Sequence, residues 1–263
     1  MARIRKTPEP QIVSRPDIPT TTTLTAAAAA APKTPTATTT TRPNKCPKPL
    51  YFWRETHVST GYLSQWYDAV PFCDPRDPVR KTYRSAEHYM MHHKALLFGD
   101  VEMAELILRS GNPRRAKELG RAVRGFEEAA WEAERMGIVR RGTRCKFACP
   151  VGDEGGASDG GGGEEEKNNK KKKWRLGVRP DAVEVEASGF REVLLGTGNR
   201  ELVEASPYDR IWGVGFREED AERNRESWGA NLLGKALMEV REEFRKEEDE
   251  RARREGGETD SQI

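Results

Sequence analysis

What this chain has little of narrows its class before any motif is read. Its 263 residues include only four cysteines, Cys46, Cys73, Cys145 and Cys149, too few for the dense disulfide framework of a small secreted domain. Cys145 and Cys149 stand four apart, which is not Cys-x-x-Cys spacing, so the cysteines read as buried or free thiols in a reducing compartment. No apolar run approaches the ~18–20 residues that span a membrane. The opening Met1-Ala2-Arg3-Ile4-Arg5-Lys6 is basic but has no apolar core behind it, so it is not a secretory signal. A mitochondrial transit peptide is the weaker alternative, since prolines and the acidic Glu9 and Asp17 argue against a continuous amphipathic helix. The expected location is cytoplasmic, with the nucleus left open by a basic run described below. Formal net charge is only +2, from 45 basic and 43 acidic residues, so the overall field selects no partner. The HExxH pattern is missing too. His88 and His92 lie one helical turn apart, but no cysteine or carboxylate cluster completes a shell, and neither metal nor cofactor is expected.

Charged residues make up 33% of the chain and mean hydropathy is -0.83, too polar for a compact domain of full length. The excess is local. Residues 1–47 are threonine tracts, an alanine run and scattered prolines, without the branched and aromatic side chains that offset ordering entropy, so a disordered arm is expected there. From 150 to 181 a glycine run, three glutamates and the lysines 170–173 read as a flexible inserted loop. Its Lys170–Arg175 stretch suits a nuclear-import or nucleic-acid patch, although a solvated charge run is the plainer account. Residues 247–263 are charged all round and read as a fraying tail. Between these lies one domain, residues 48–246.

The domain is organised around residues 83–100, Tyr-Arg-Ser-Ala-Glu-His-Tyr-Met-Met-His-His-Lys-Ala-Leu-Leu-Phe-Gly-Asp. Ser85 can cap a helix that Gly99 ends, since a serine oxygen takes orphan amides and glycine accepts a left-handed exit. Glu87, Met90, Lys94 and Leu97 fall at steps of three and four, so a carboxylate and an amine flank a thioether on a face that wants burial. Burying charge is costly unless it is paired or used. Two plainer readings compete. A carboxylate in a first helical turn is favoured by about 0.3–1 kcal/mol with no chemistry implied, and Lys94 can lay its stem across Met90 with its amine in water.

The remaining elements follow from punctuation. Leu50-Tyr51-Phe52-Trp53 is a short aromatic strand, Tyr62–Tyr67 a second aromatic piece, and 79–83 a strand after a proline-rich loop. Asp100 caps a helix to Arg109, and Asn112-Pro113 opens another over 114–119. A long helix covers about 126–147. Ser188 caps a helix over 190–195, 201–205 is a strand, and a last helix from about Ser227 carries Leu233, Leu237, Val240 and Phe244 on one stripe.

Taken in register, these pieces resemble the NADAR (YbiA-like) family. The resemblance rests on Ser64-Gln65-Trp66-Tyr67, then Ser85-Ala86-Glu87-His88-Tyr89-Met90-Met91 through Lys94-Ala95 and Phe98-Gly99-Asp100, and then Asn112-Pro113. It continues with Arg141-Gly142, Lys146-Phe147, Leu194-Leu195-Gly196-Thr197-Gly198 and Val203-Glu204-Ala205-Ser206-Pro207. It ends with Asp209-Arg210-Ile211-Trp212-Gly213-Val214-Gly215, Trp228-Gly229, Asn231-Leu232-Leu233-Gly234 and Leu237–Arg241. Two departures are the long link 148–189 and the loop 73–80. The first costs little, because loop-closure entropy grows slowly with length; the second stands where the substrate rim would be.

The resemblance implies a mainly α (α+β) fold, helix-rich with a few short strands. It also implies hydrolysis of an N-glycosidic bond at an ADP-ribose or phosphoribose group. The substrate is then an ADP-ribosylated guanine nucleotide or nucleic acid, or a small phosphoribosyl metabolite such as a phosphorylated riboflavin precursor. A non-catalytic ADP-ribose-binding module is the reading from another class. Breaking a glycosidic C–N bond builds positive charge on the ribose carbon, which a nearby carboxylate stabilises while it orients water. Glu87 and Asp209 are the candidates. Lys94 can instead add covalently as a Schiff base if burial lowers its pKa. Trp66 and Trp212 offer flat faces for a base, Asn231 sits in a turn able to present amides to a phosphate, and Lys146 is the fourth substrate-binding candidate. For the tryptophans core packing is the plainer role, and for Asn231 a simple cap.

Overall fold

A computed structural model describes residues 47–151 and 171–258. The low-complexity arm, the glycine- and charge-rich centre of the inserted segment and the last residues of the tail lie outside the described residues. Within them the elements run β1 (Leu50–Phe52), β2 (Phe72–Cys73), β3 (Thr82–Tyr83), α1 (Ala86–Leu97), α2 (Val101–Leu108), α3 (Pro113–Arg121) and α4 (Glu128–Ala148). After the insertion come β4 (Lys172–Arg175), β5 (Glu184–Ala187), α5 (Phe190–Leu195), β6 (Leu202–Glu204), α6 (Glu218–Ala221) and α7 (Leu232–Glu258). The expected helix-rich class with a few short strands is the class observed.

Helix α1 forms where its punctuation places it. The Ser85 side chain accepts from the His88 amide, and Gly99 takes φ 71° just past the end. Asp100 accepts from the Met103 amide to start α2, and Asn112 accepts from the Arg115 amide to start α3, with Pro113 in its first turn. Thus α1 is boxed by α2, α3 and α4, and α4 packs on α7. The close approach of α3 to α1 depends on Gly120, where a Cβ would come within 2.1 Å of the Met91 sulfur. The three two-stranded ladders are short. β1 runs parallel to β6, pairing Leu50 with Leu202 and Phe52 with Glu204, which brings two ends of the chain's core side by side.

Four expectations need correction. The strand expected over 79–83 shrinks to Thr82–Tyr83, because the Asp77 side chain accepts from the amides of Val79 and Lys81 and rounds that stretch into a turn. Gly189, not Ser188, is the N-cap residue of α5; Ser188 instead donates its amide to the Glu192 carboxylate. The final helix begins at Leu232 rather than near Ser227, since Glu222–Ser227 is a 3-10 turn and Asn231 sits at φ 49°. At its far end α7 continues past Phe244 to Glu258. Glu247 of α7 pairs with Arg144 of α4 at 2.7 Å and Arg191 of α5 at 2.7 Å, and Arg251 pairs with Glu255 one turn on. Each exposed pair contributes little, but a ladder tied to two neighbouring helices extends the helix.

The largest correction concerns the insertion, whose end is folded. Lys172–Arg175 pairs antiparallel with Glu184–Ala187, and Trp174 and Leu176 are buried. The Trp174 ring stacks on Phe190 at 5.0 Å, and its indole nitrogen donates to the Ala187 carbonyl at 3.2 Å. Phe190 in turn stacks on Phe147 at 4.8 Å and Tyr67 at 6.0 Å. The lysine run therefore carries a core residue rather than being wholly solvated. Trp174→Ala should cost about 3–5 kcal/mol, as other large-to-small core changes do. Thermal unfolding reads the loss, and an unchanged midpoint would place the strand outside the core.

Candidate active site

A cavity of about 550 Å³ opens between α1, α3, the loop carrying Ser64–Trp66 and the segment after β6. Glu87 sits at its α1 wall. It is 3% exposed, and its Oε1 is buried with no hydrogen-bond partner. Its amide donates to the Gln65 carbonyl at 3.0 Å, which ties the start of α1 to the loop. Burial pushes its carboxyl up to about 7, against the opposing pull of Lys117 and the Trp66 side chain and with Asp209 adding to the rise. A surface helix-start carboxylate would show none of this. The conflict between charge and burial seen in the α1 spacing is real in three dimensions.

A second carboxyl meets it that sequence reasoning passed over. Glu204 closes β6, its Oε2 buried and without a partner. Burial pushes it up to about 8, and the charges of Asp209 and Glu87 push the same way. Its backbone is pinned on both sides: its amide donates to Asn231 Oδ1 at 3.0 Å and its carbonyl accepts from the Val214 amide at 2.9 Å. Asn231 Nδ2 also donates to the Leu202 carbonyl at 3.0 Å. The Asn231 side chain is thus spent on β6, where it clamps Glu204's strand, and it does not line the cavity. The sequence did carry a signal for Glu204: a carboxylate inside the apolar run Leu202-Val203-Glu204-Ala205, where a strand tolerates charge only if it is paired or used.

Asp209 lines the same cavity. Its Oδ1 accepts from the amides of Ile211 and Trp212 at 2.9 and 2.7 Å, a turn that fixes the Trp212 backbone beside it. Gly229 lets the turn close: a Cβ there would fall 2.2 Å from the Arg210 carbonyl oxygen. Trp212 and Trp66 both line the cavity and both remain half-buried, while Trp53 and the 80% exposed Tyr208 meet at its mouth with ring centroids 6.0 Å apart. Gln65 adds a polar group missed from sequence, since both side-chain heteroatoms are buried without partners at the cavity wall.

The two lysines have different fates. Lys94 reaches the cavity wall, where its ammonium donates to the Gly120 carbonyl at 2.9 Å and lies over the rings of Phe126 at 4.2 Å and Trp131 at 5.5 Å. Burial lowers its pKa. Lys146 does not line the cavity. It is 2% exposed and donates to the carbonyls of Tyr62 and Ser64 at 2.6 and 2.9 Å, and burial pulls it down to about 7. It braces the loop that carries Gln65 and Trp66 from behind. His88 and His92 are likewise structural, bonded to Ser85 and Tyr83. Among the described residues no group of His, Cys, Asp and Glu is placed to hold a metal ion, and no helix is long and apolar enough to cross a membrane.

Residues 51–245 match the NADAR domain. A protein named N-glycosidase from Acanthamoeba polyphaga mimivirus is 37% identical over 163 residues, which is 61% of this chain and 74% of that protein. Another protein named N-glycosidase, from Nostoc punctiforme, is 28% identical over 64% of this chain and 78% of its own length. A Vibrio vulnificus protein named for riboflavin biosynthesis is 26% identical over 77% of this chain but only 40% of that protein. The domain match covers the described fold from β1 to the middle of α7 and takes in every residue of the cavity. The chain belongs to the NADAR domain family.

Proposed function

We propose that the cavity hydrolyses the N-glycosidic bond of an ADP-ribose or phosphoribose adduct, with ADP-ribose on a guanine base as the first substrate to try. The chain is an N-glycosyl hydrolase in this reading. The observation that carries it is the presence of Glu87 and Glu204, two partner-poor carboxyls raised to about 7 and about 8, beside Asp209 in one cavity. Near neutral pH such a pair keeps a proton on one member and not on the other, which supplies an acid and a base from identical chemistry. Glu204, held at the end of β6, is the member of the pair that gives its proton to the departing base nitrogen in this reading. Glu87 takes the proton of the attacking water and offsets the positive charge that develops on the ribose carbon. The flat faces of Trp66 and Trp212 receive the base. A non-catalytic binding module gains nothing from a destabilising pair of this kind.

The Lys94 geometry favours water over a covalent route. Its ammonium is held by a carbonyl and two aromatic faces, contacts that suit the cation and orient it away from nucleophilic attack. The riboflavin-named relative keeps a second substrate class in view, the phosphorylated intermediates of that synthesis. Incubation with guanine-ADP-ribosylated DNA and nucleotide, and separately with a phosphorylated riboflavin precursor, tests both. Release of free ADP-ribose is expected. Borohydride added during turnover should trap no protein–sugar adduct; an adduct that Lys94→Arg cannot form would make Lys94 the nucleophile.

A further inference from the structure

The loop 73–80 and the start of the link after α4 line no part of the cavity, yet they meet at a pair of thiols. Phe72 bridges Pro150 in antiparallel register, with the Val151 amide donating to the Pro71 carbonyl at 2.7 Å. One step along, Cys73 stands opposite Cys149, the C-cap residue of α4, and its amide donates to the Cys149 carbonyl at 3.1 Å. Directly opposed residues put their side chains on one face of the ladder, with Cα atoms about 4.5–5.5 Å apart, inside the ~4.4–6.8 Å that a disulfide spans. The Cys73 sulfur leans toward its neighbour, 3.9 Å from the Cys149 carbonyl oxygen. Both thiols are free and half-buried, within reach of a small reagent.

Their surroundings make the two unequal. Arg80 stands at φ 46°, a left-handed backbone that is costly for a residue other than glycine. Its amide closes a turn onto the Asp77 carbonyl at 2.8 Å, and its guanidinium donates to the Cys73 sulfur at 3.8 Å. A partly exposed sulfur beside a guanidinium is the setting in which reactive cysteines are found. Burial pushes the Cys149 thiol up, and Cys73 adds to the rise. Cys145, one turn back on α4, is buried and pushed up by that burial to about 12, which makes it inert.

We propose that Cys73 and Cys149 are an oxidative modification site, in which a peroxide joins them into a disulfide that clamps β2 to the end of α4 and a dithiol reductant reopens it. The Cys73 sulfur attacks hydrogen peroxide, whose O–O bond breaks as a sulfenic acid forms and the first water leaves. The Cys149 sulfur then attacks the sulfenic sulfur, the S–S bond forms and the S–O bond breaks to release the second water. Two thiols lose two electrons and two protons, and one peroxide becomes two waters. In a reducing compartment such a bond is transient and acts as a sensor. The ring it closes runs from 73 to 149 and contains α1 to α4, the cavity wall that carries Glu87 included. The proposal stands apart from the glycosidase reading.

Full-length protein is treated with hydrogen peroxide, its remaining thiols are alkylated, and its peptides are mapped by mass spectrometry. A Cys73–Cys149 crosslink is expected, lost again on adding dithiothreitol. The oxidised protein should melt roughly 5–10 °C above the reduced one, because a long ring constrains the unfolded chain. Cys73→Ser and Cys149→Ser should each abolish both the crosslink and the rise, with reduced midpoints close to wild type. Cys145→Ala should keep both. A sulfenic-acid trap should label Cys73 in Cys149→Ser, and Arg80→Asn, which tolerates the left-handed backbone, should slow that labelling by about five-fold or more. Thiols that stay free under peroxide overturn the site, as does a crosslink that runs through Cys46 or Cys145 instead. A crosslink with no rise in midpoint overturns the clamp, and labelling that Arg80→Asn leaves unchanged overturns Cys73 as the thiol that reacts first.

Discussion

Glu87→Gln is expected to cut N-glycosidase turnover by roughly 10²–10⁴-fold, the range for losing a general acid–base group. The amide keeps the shape of the carboxyl and much of its hydrogen bonding, but it can neither take a proton nor offset charge on the ribose carbon. Product binding should survive within several-fold. Stability should move in the opposite direction from activity. The folded carboxyl sits at about 7, above its ordinary value of 4.5, so the folded state holds the proton over that interval and wild-type stability falls as pH rises through it. The substitution removes that loss. Melting curves of the two proteins should therefore nearly coincide at pH 4–5 and separate in favour of Gln by pH 8. Full turnover by folded Glu87→Gln would take the residue out of the reaction. A variant less stable than wild type at pH 8 would mean that the carboxyl is structural.

The helices that wall this cavity were legible in the sequence, for a physical reason. Caps and breakers act locally, so Ser85, Gly99, Asp100, Asn112 and Pro113 fixed where α1, α2 and α3 begin or end. Once α1 is a helix, Glu87 and Lys94 must share a face with Met90, and the odd chemistry of that face is visible as text. Asp209 and the two tryptophans line the same cavity. What sequence could not show is whether a polar side chain turns toward the cavity or into the frame. Asn231 and Lys146 look like ligands as residue types, yet each satisfies backbone carbonyls or amides deep inside the fold. The cations of α3 were hidden for the converse reason. In a chain with 45 basic residues, three of them on one helix, Arg114, Lys117 and Arg121, look solvated until a cavity is found beside them. Trp174 was masked in the same way by the lysines before it.

The hardest residue to see is the one with the sharpest expected signature. Glu204→Gln should also lower turnover by about 10²–10⁴-fold, but only where the leaving base needs a proton. A ribosyl compound whose leaving group is already cationic departs without one, so the same variant should lose far less with it. Glu87→Gln should slow both classes alike, because water still has to be activated. The pH dependence separates the pair further. Glu204 lies at about 8 when folded, against an ordinary 4.5. Wild-type activity on the neutral leaving group should decline as pH rises beyond about 8, since the acid is then ionised. Residual activity of Glu204→Gln should lack that alkaline decline. Stability follows the same sign as for Glu87 over a wider window. The wild type loses stability from pH 4.5 up to about 8 as a buried carboxyl is forced to ionise, and the variant should gain on it across that whole range. The Asn231 clamp and the Val214 amide hold the strand in place regardless of the side chain, so the variant has every reason to fold. A turnover loss equal for neutral and cationic leaving groups would remove Glu204 as the acid and leave Asp209 as the remaining carboxyl of the cavity to fill that role.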